Sequence, residues 1–330
     1  MKRIILLASL AMAKIAALAS DTPNFAPDAY DPNDSSQQWA LVNVSVTCIR
    51  EEPRHGAELA SQAIMGQPIR ITAKEGEWYN VQSPEGYTGY IIANTVAPKT
   101  TTEMISWANS PRVIVSEYGT TEITAQPGVD TPRGRVSDIT TGGILQVDSA
   151  ASTASHLAVT LPDGRRGWID NSQVQNIAQW AEQPLDVERM LDYAYSMEGT
   201  PYFWGGTSPK GVDCSGLTRT AYFTQGWIIP RDASSQARTG MRIEADQWQS
   251  LLPGDLLFFG NREKQRVTHV ALHHHDGEYV HSSAGRVRRN SVNPESEGYI
   301  TTPFLWAVRI IDHATPGIIQ VKNHPWYFTK

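Results

Sequence analysis

Apolar and polar residues alternate in short runs from residue 39 to residue 180, and the period changes after residue 184. Trp78–Val81 and Tyr87–Ile92 alternate on either side of Ser83-Pro84-Glu85-Gly86, which reads as two strands joined by a turn. In this first half only Ala57–Met65 has a helical look. There is also an internal echo. Gly86-Tyr87-Thr88-Gly89-Tyr90-Ile91 leads to Asn94-Thr95-Val96, and Gly164-Arg165-Arg166-Gly167-Trp168-Ile169 leads to Asn171-Ser172-Gln173-Val174. The repeat of glycine turn, aromatic-aliphatic strand and short polar turn predicts two small β-barrels in tandem, over residues 39–100 and 101–180. Beyond Gln183-Pro184, Val187, Met190, Leu191, Ala194 and Tyr195 recur at helical spacing, so Val187–Ser196 is expected as a helix. Leu217 and Ala221 repeat that spacing after Cys214. Leu256–Phe259, Val267–His273, Glu278–His281 and Leu305–Ile310 read as strands. Helices followed by antiparallel strands make residues 184–312 an α+β domain.

The ends of the chain have their own character. Lys2 and Arg3, the apolar stretch Ile4–Ala13 and the small-residue site Ala17-Leu18-Ala19 read as an export signal over residues 1–19. The mature protein is therefore expected to be exported, to the periplasm or the extracellular space. No Cys follows the cleavage site, which argues against a lipid anchor, and no other stretch approaches the ~20 apolar residues of a membrane span. Residues 20–38 are rich in Asp, Pro, Asn and Ser and read as a linker or a surface arm. Residues 313–330 form a tail whose Trp326 and Tyr327 are too aromatic to be left in water. The net charge of −6, with no basic block, argues against a nucleic-acid partner. A monomer is expected. The cysteines are Cys48 and Cys214. Cys48 alternates with Val44 and Val46 and is expected as a buried strand residue, not bonded to Cys214.

The chemistry concentrates at Cys214. It follows the glycine-rich run Trp204-Gly205-Gly206 and Asp213, and it begins a helix for which Asp213 is a candidate N-cap. A thiol in the first helical turn feels the positive end of the helix dipole, which favours the thiolate. The backbone N–H groups of that turn are free to hold an oxyanion. His269, at the start of an apolar strand, is a candidate base, and His281 a candidate orienter of its ring. This is the layout of a cysteine hydrolase. His273-His274-His275 invites a metal reading, but strand alternation splits the three across both faces, so no metal and no cofactor is expected.

Residues 184–312 resemble the NlpC/P60 cysteine peptidases, which have a papain-like fold. The resemblance rests on Pro201-Tyr202-x-Trp204-Gly205-Gly206, Asp213-Cys214-Ser215-Gly216-Leu217, Pro230-Arg231-Asp232 with Gln236, Pro253-Gly254-Asp255-Leu256, His269-Val270 and His281-Ser282-Ser283. Trp78-Tyr79-x-Val81 ahead of Gly-Tyr-x-Gly-Tyr is similar to bacterial SH3-like domains. Together they resemble the dipeptidyl-peptidase VI group, γ-D-glutamyl-L-diamino acid endopeptidases that release L-Ala-γ-D-Glu from cell-wall peptides. The resemblance implies Cys214 as nucleophile, His269 as base and His281 as third polar residue. It implies Tyr202, Asp213 and Ser215 around the substrate. It further implies that the first SH3-like domain closes the site and reads the free amine of L-Ala through a Glu and a Tyr, best matched by Glu58 and Tyr87. A serine sometimes found after Arg-Asp in relatives is Ala233 here, with Ser234 next to it. The expected substrate is thus a released peptidoglycan peptide with a free amine. The alternatives are a lytic enzyme acting on intact wall through its SH3-like domains, an acyltransferase with the same thiol, and a non-catalytic binding protein.

Strand parity sets one further condition. His269 and His281 must face one cavity, but a regular hairpin with a two-residue Asp276-Gly277 turn would put them on opposite faces. A three-residue loop over residues 276–278, pairing His273 with His281, or a one-residue bulge near Gly277, is therefore expected.

Overall fold

The structure, a computed structural model, describes residues 25–129, 131–310 and 317–329 of the 330-residue chain. The expected export signal lies outside them. Among the described residues no helix is long and apolar enough to cross a membrane.

Residues 38–99 form β1 (Gln38–Val42), β2 (Val46–Arg50), β3 (Leu59–Ile64), β4 (Pro68–Glu75), β5 (Trp78–Gln82), β6 (Thr88–Ile92) and β7 (Val96–Lys99). Residues 112–176 form β8 (Arg112–Val115), β9 (Thr120–Thr124), β10 (Arg135–Thr140), β11 (Ile144–Asp148), β12 (His156–Thr160), β13 (Arg166–Asp170) and β14 (Val174–Asn176). The first sheet runs β3-β2-β6-β5-β4-β1-β7 and the second β10-β9-β13-β12-β11-β8-β14. Counted from its own first strand, each sheet has the same order. The sequence echo falls on the sixth strand of each and on the 3-10 turn after it. Its shared glycine has a steric cause. A Cβ on Gly89 would lie 2.8 Å from the carbonyl oxygen of Arg50, and one on Gly167 would lie 3.0 Å from that of Thr124. Each glycine sits where the sixth strand crosses the second.

Three expectations in this half fail. Ala57–Met65 is no helix: its centre is β3, paired with β2. Ser61, Gln62 and Ala63 are all buried, because the sheet covers one face of the strand and the catalytic domain the other. Burial on both faces erases the two-residue alternation that would have marked a strand. Cys48 is only half-buried; Thr47 and Ile49 are the buried neighbours, so Cys48 stands on the outer face of β2. Two helices went unread, α1 (Thr101–Asn109) and α2 (Ile177–Ala181). The first carries a capping box in which Glu103 N–H donates to Thr100 and the Glu103 carboxylate accepts from Thr100 N–H. That Thr-x-x-Glu signal was available in the sequence.

The catalytic domain has α3 (Val187–Ser196), α4 (Cys214–Thr224) and α5 (Ala233–Gln236). Its sheet is built from β15 (Met241–Glu244), β16 (Leu256–Asn261), β17 (Arg266–His273), β18 (Glu278–Ser283), β19 (Arg286–Ser291) and β20 (Phe304–Arg309), in the order β15-β20-β16-β17-β18-β19. All its pairings are antiparallel, as expected from the pattern. Met190, Leu191 and Ala194 of α3 and Leu217 and Ala221 of α4 pack with Phe258, Val270, Leu272 and Val280 of the sheet.

A separate core joins the parts. Trp39, Trp107 and Ile144 of the β units pack with Phe223 of α4 and with Trp326 and Tyr327 of the tail. The arm lies over this tail. Tyr30 O–H donates to Trp326 O at 2.8 Å, and Trp326 Nε1–H donates to Asp28 O at 2.8 Å. His324 locks the tail to the turn before β6. Its Nε2–H donates to Pro84 O at 2.9 Å and its Nδ1 accepts from Trp326 N–H at 3.1 Å, which only the neutral ring can do. Burial pushes its pKa down to about 4, consistent with that state.

Candidate active site

Asp213 caps α4. Its Oδ1 accepts from Gly216 N–H at 2.7 Å and its Oδ2 from Gly205 N–H at 2.9 Å. Arg231 closes on the same carboxylate, Nη2 to Oδ2 at 2.6 Å and Nη1 to Oδ1 at 3.2 Å. From there Arg231 Nη1–H reaches Ser215 Oγ at 2.9 Å and Nε–H reaches Ser61 Oγ of β3 at 3.2 Å. Gln236 ties the base of this cluster, donating to Ser215 O at 3.1 Å and Pro230 O at 2.9 Å. The residue after Ser215 must be glycine, since a Cβ there would lie 1.9 Å from Gly206 O. Thus Asp213 and Ser215, expected as substrate contacts, spend most of their hydrogen-bonding capacity on the fold. Both still line the cavity above Cys214.

His269 stands on β17 beside a bulge, the register slipping by one residue between Phe259 and Gly260 of β16. Its Nε2 lies 2.7 Å from His281 Nδ1, and His281 Nε2 lies 2.9 Å from Asn290 Oδ1. The protons follow from the far end. Asn290 Nδ2–H donates to Gly298 O at 3.1 Å, so its Oδ1 is the acceptor for His281 Nε2–H. His281 Nδ1 is then bare and accepts from His269 Nε2–H. His269 keeps its free lone pair on Nδ1, the form a general base needs. Asn290 is absent from the sequence-derived set. Nothing local marks it; only its pairing opposite Tyr279 on β18 brings it to His281.

The parity condition is met, though not by the expected loop. Asp276 and Gly277 both have positive φ, 48° and 79°, and Glu278 N–H donates to His275 O at 2.7 Å, a two-residue turn. Beyond it His273 pairs with Tyr279 and Leu272 with Val280. The pairing of His273 with His281 does not occur. His274 is the extra residue, and this one-residue bulge puts His269 and His281 on one face.

The helix dipole does not decide the state of the thiol. A helix end contributes ~0.3–2 kcal/mol, whereas burying a charge costs several kcal/mol. Cys214 is buried, and burial, followed by the Asp213 charge, pushes its pKa up to about 11 despite N–H donors from Val270 and Ser215. Burial, His281 and Arg288 together push His269 down to about 3. Burial and Arg288 push His281 down to about 4. The shifts at Cys214 and His269 favour a neutral thiol and a neutral imidazole in the cavity that the two residues share.

The cavity over Cys214 has a volume of about 780 Å³ and is lined by residues from both the catalytic domain and the first β unit. Cys214, His269 and Tyr202 share it with Trp204, which is 61% exposed at its edge. Burial raises the Tyr202 pKa to about 12, so its hydroxyl keeps its proton at neutral pH. Ala233 and Ser234 line the wall. Tyr87 of the first unit is present as expected, but Glu58 is exposed and is not among the lining residues. Glu51 is there instead, its N–H bonded to Glu58 O across the strand pair. Asp232 joins it. Burial raises the Asp232 pKa, and the Arg231 charge and, more weakly, a hydrogen bond from Tyr87 work against that. Burial, and then the charges of Glu58, Glu52 and Asp232, raise that of Glu51. Glu51, Asp232 and Tyr87 thus line the cavity together, with the Arg231 guanidinium beside Asp232 in the same lining.

Removing the Asn290 acceptor leaves a buried N–H unsatisfied, which costs about 1–3 kcal/mol. Asn290→Ala is expected to lower kcat by about 5- to 150-fold, while Asn290→Asp, which still accepts from His281, should keep most of the activity and move the acidic limb of the pH profile upward. A wild-type kcat and pH profile in Asn290→Ala would remove Asn290 from this chain of hydrogen bonds.

Known proteins match over the same regions. Residues 199–309 match the NlpC/P60 family and residues 49–94 the bacterial dipeptidyl-peptidase Sh3 domain. The chain is 31% identical over 262 residues to dipeptidyl-peptidase 6 of Lysinibacillus sphaericus, covering 78% of this chain and 91% of that one. It is 28% identical over 253 residues to gamma-D-glutamyl-L-lysine dipeptidyl-peptidase of Bacillus cereus, covering 74% and 73%. Among solved structures, an NlpC/P60 family protein from Bacillus cereus superposes with a TM-score of 0.70 at 23% identity, over 83% of this chain and 100% of that one, a likeness of fold. With its thiol on a capped helix and its histidine pair on the adjoining strands, this chain belongs to the NlpC/P60 family.

Proposed function

We propose that the protein is a cysteine endopeptidase that cleaves the γ-D-glutamyl–diamino acid bond of peptidoglycan-derived peptides carrying a free N-terminal L-Ala. The observation that carries this reading is the acidic pocket of Glu51, Asp232 and Tyr87 in the cavity that holds Cys214 and His269. The relatives named for γ-D-glutamyl-L-lysine dipeptidyl-peptidase activity support the bond. In this reading Glu51 takes the place that the sequence suggested for Glu58. The ammonium of L-Ala settles between the carboxylates and relieves their mutual repulsion. The γ-carbonyl of D-Glu then lies over Cys214. Sγ attacks the carbonyl carbon as the thiol proton passes to His269 Nδ1. The first turn of α4 and Tyr202 hold the oxyanion. His269 returns the proton to the leaving amine of the diamino acid, and water, deprotonated by the same ring, releases L-Ala-γ-D-Glu from the thioester. The second sheet, with its matching strand order, is read as a second SH3-like unit that braces the first. Action after export, in the periplasm or outside the cell, suits such a substrate.

Intact wall lacks the free amine, since L-Ala is acylated there. An acylated terminus would bury the carboxylates without a counter-charge. Losing one partner of a hydrogen-bonded charge pair that the bound peptide itself buries costs about 2–5 kcal/mol. Mass spectrometry of L-Ala-γ-D-Glu-diamino acid peptides should therefore show cleavage reduced at least about 30-fold by N-acetylation, and by Glu51→Gln on the free peptide. Equal cleavage of free and acetylated peptides, or digestion of intact sacculi at a comparable rate, would favour the lytic reading.

A further inference from the structure

The bulge that aligns the catalytic histidines has a second consequence. Just past the end of β17 two residues, His274 and His275, stand opposite one residue on β18, Glu278. His274 N–H donates to Glu278 O at 2.9 Å and Glu278 N–H donates to His275 O at 2.7 Å, so the three are bound into one short turn. Strand alternation, which would separate the histidines, ends at His273. The two rings have centroids 4.0 Å apart, and one ligand atom from each of His274, His275 and Glu278 lies within 4.8 Å of the others. Tyr195 of α3 supports the group from behind. Its O–H donates to Glu278 Oε1 at 3.0 Å, and with that hydrogen spent its oxygen accepts from His274 Nδ1–H at 2.8 Å. His274 is thereby left with its free lone pair on Nε2. A hydrogen-bonded far nitrogen is the usual setting of a metal-binding histidine. Arg289 lies over the Tyr195 ring at 5.5 Å, but its charge is offset by Glu198 at 2.7 Å.

We propose that His274, His275 and Glu278 form a binding site for a divalent cation of the zinc class, with Tyr195 as positioning residue and solvent completing the coordination. Two imidazoles and one carboxylate suit Zn²⁺, Ni²⁺ or Cu²⁺ and not Mg²⁺ or Ca²⁺, which prefer all-oxygen sets. The ion pins the turn between the strands of His269 and His281. It holds the bulge, and with it the register, without touching the reacting atoms. The site does not depend on the peptidase reading.

The thiol and histidines of the cavity would also take zinc, so the test uses full-length Cys214→Ala protein and reads binding, not turnover. Calorimetric titration with Zn²⁺ at neutral pH is expected to show one tight equivalent that excess Mg²⁺ does not displace, with a rise in melting temperature. His275→Ala and Glu278→Gln, each in the Cys214→Ala protein, should weaken it at least about ten-fold. Both positions reach solvent, and an unchanged far-ultraviolet circular dichroism spectrum will show that the variants fold. Tyr195→Phe should weaken binding about 10- to 100-fold while keeping the stoichiometry. Co²⁺ should give tetrahedral or five-coordinate visible bands in the Cys214→Ala parent, and these should vanish in His275→Ala. The absence of a tight equivalent, or the same affinity in the parent and in both His275→Ala and Glu278→Gln, overturns the proposal.

Discussion

Cys214→Ala is expected to lower turnover by about 10⁴-fold or more while the protein folds as before, because the change removes one sulfur and leaves the Asp213 cap and the Leu217 and Ala221 packing of that helix in place. His269→Ala should be almost as damaging, and the double variant no worse than Cys214→Ala alone. A thiol whose pKa is raised by burial needs a base to take its proton, so with His269 as that base the two losses overlap. The neutral resting pair sharpens this. With the Cys214 pKa pushed up to about 11, little thiolate exists at neutral pH without the base. Steady-state hydrolysis of a free-amine peptide, alongside circular dichroism, measures both. Substantial activity in purified Cys214→Ala would end the mechanism, and additive losses in the double variant would separate His269 from the nucleophile.

The second large effect belongs to Arg231. Its guanidinium is buried and joins three things: the Asp213 cap, the Ser215 hydroxyl and Ser61 of the first β unit. Arg231→Met keeps the bulk and removes the charge. Asp213 is then left as a buried carboxylate without its ion-pair partner. Breaking one side of such a pair costs about 3–5 kcal/mol. The urea midpoint should fall markedly, and activity should fall with it as the first turn of α4 loses its anchor. Adding Asp213→Asn should recover part of the stability, because a neutral amide can still cap the helix and no longer needs a cation. It should not recover the activity if Arg231 also holds the two units together over the substrate. An unfolding curve for Arg231→Met that overlays the wild type would show the pair to be dispensable.

Much of the catalytic domain was legible before any coordinates. Val187–Ser196 was read from its period and is a helix with those bounds, because one face of α3 is buried and the other is wet. Strands near residues 256–261, 266–273, 278–283 and 304–309 were also anticipated, being apolar runs between turn residues. Cys214, His269 and His281 were singled out by residue type and order, and the fold brings the two histidines within hydrogen-bonding distance. The failures share a cause. β3 looked helical because two domains cover it. Glu58 lies near the matching motif, but of the two carboxylates on that strand pair it is Glu51 that lines the cavity. His274 and His275 were separated on paper by an alternation that a single extra residue abolishes.

By itself the sequence determined what local periodicity and residue chemistry can carry. That covers the strand-rich first half and the α+β second half, the internal echo, the helix that begins at the thiol, and the need for an irregularity between residues 269 and 281. The tertiary structure decided everything that depends on which strand lies beside which. It set the register of His273 opposite Tyr279, brought Asn290 behind His281, and tied Arg231 to Ser61 across the domain boundary. It also buried the thiol, which pushes its pKa up where the helix end alone would lower it. Local pattern reports the first coordination of a residue with its chain neighbours, whereas burial and long-range pairing set its electrostatic surroundings. In a buried site the cost of desolvation outweighs the local field of a helix end.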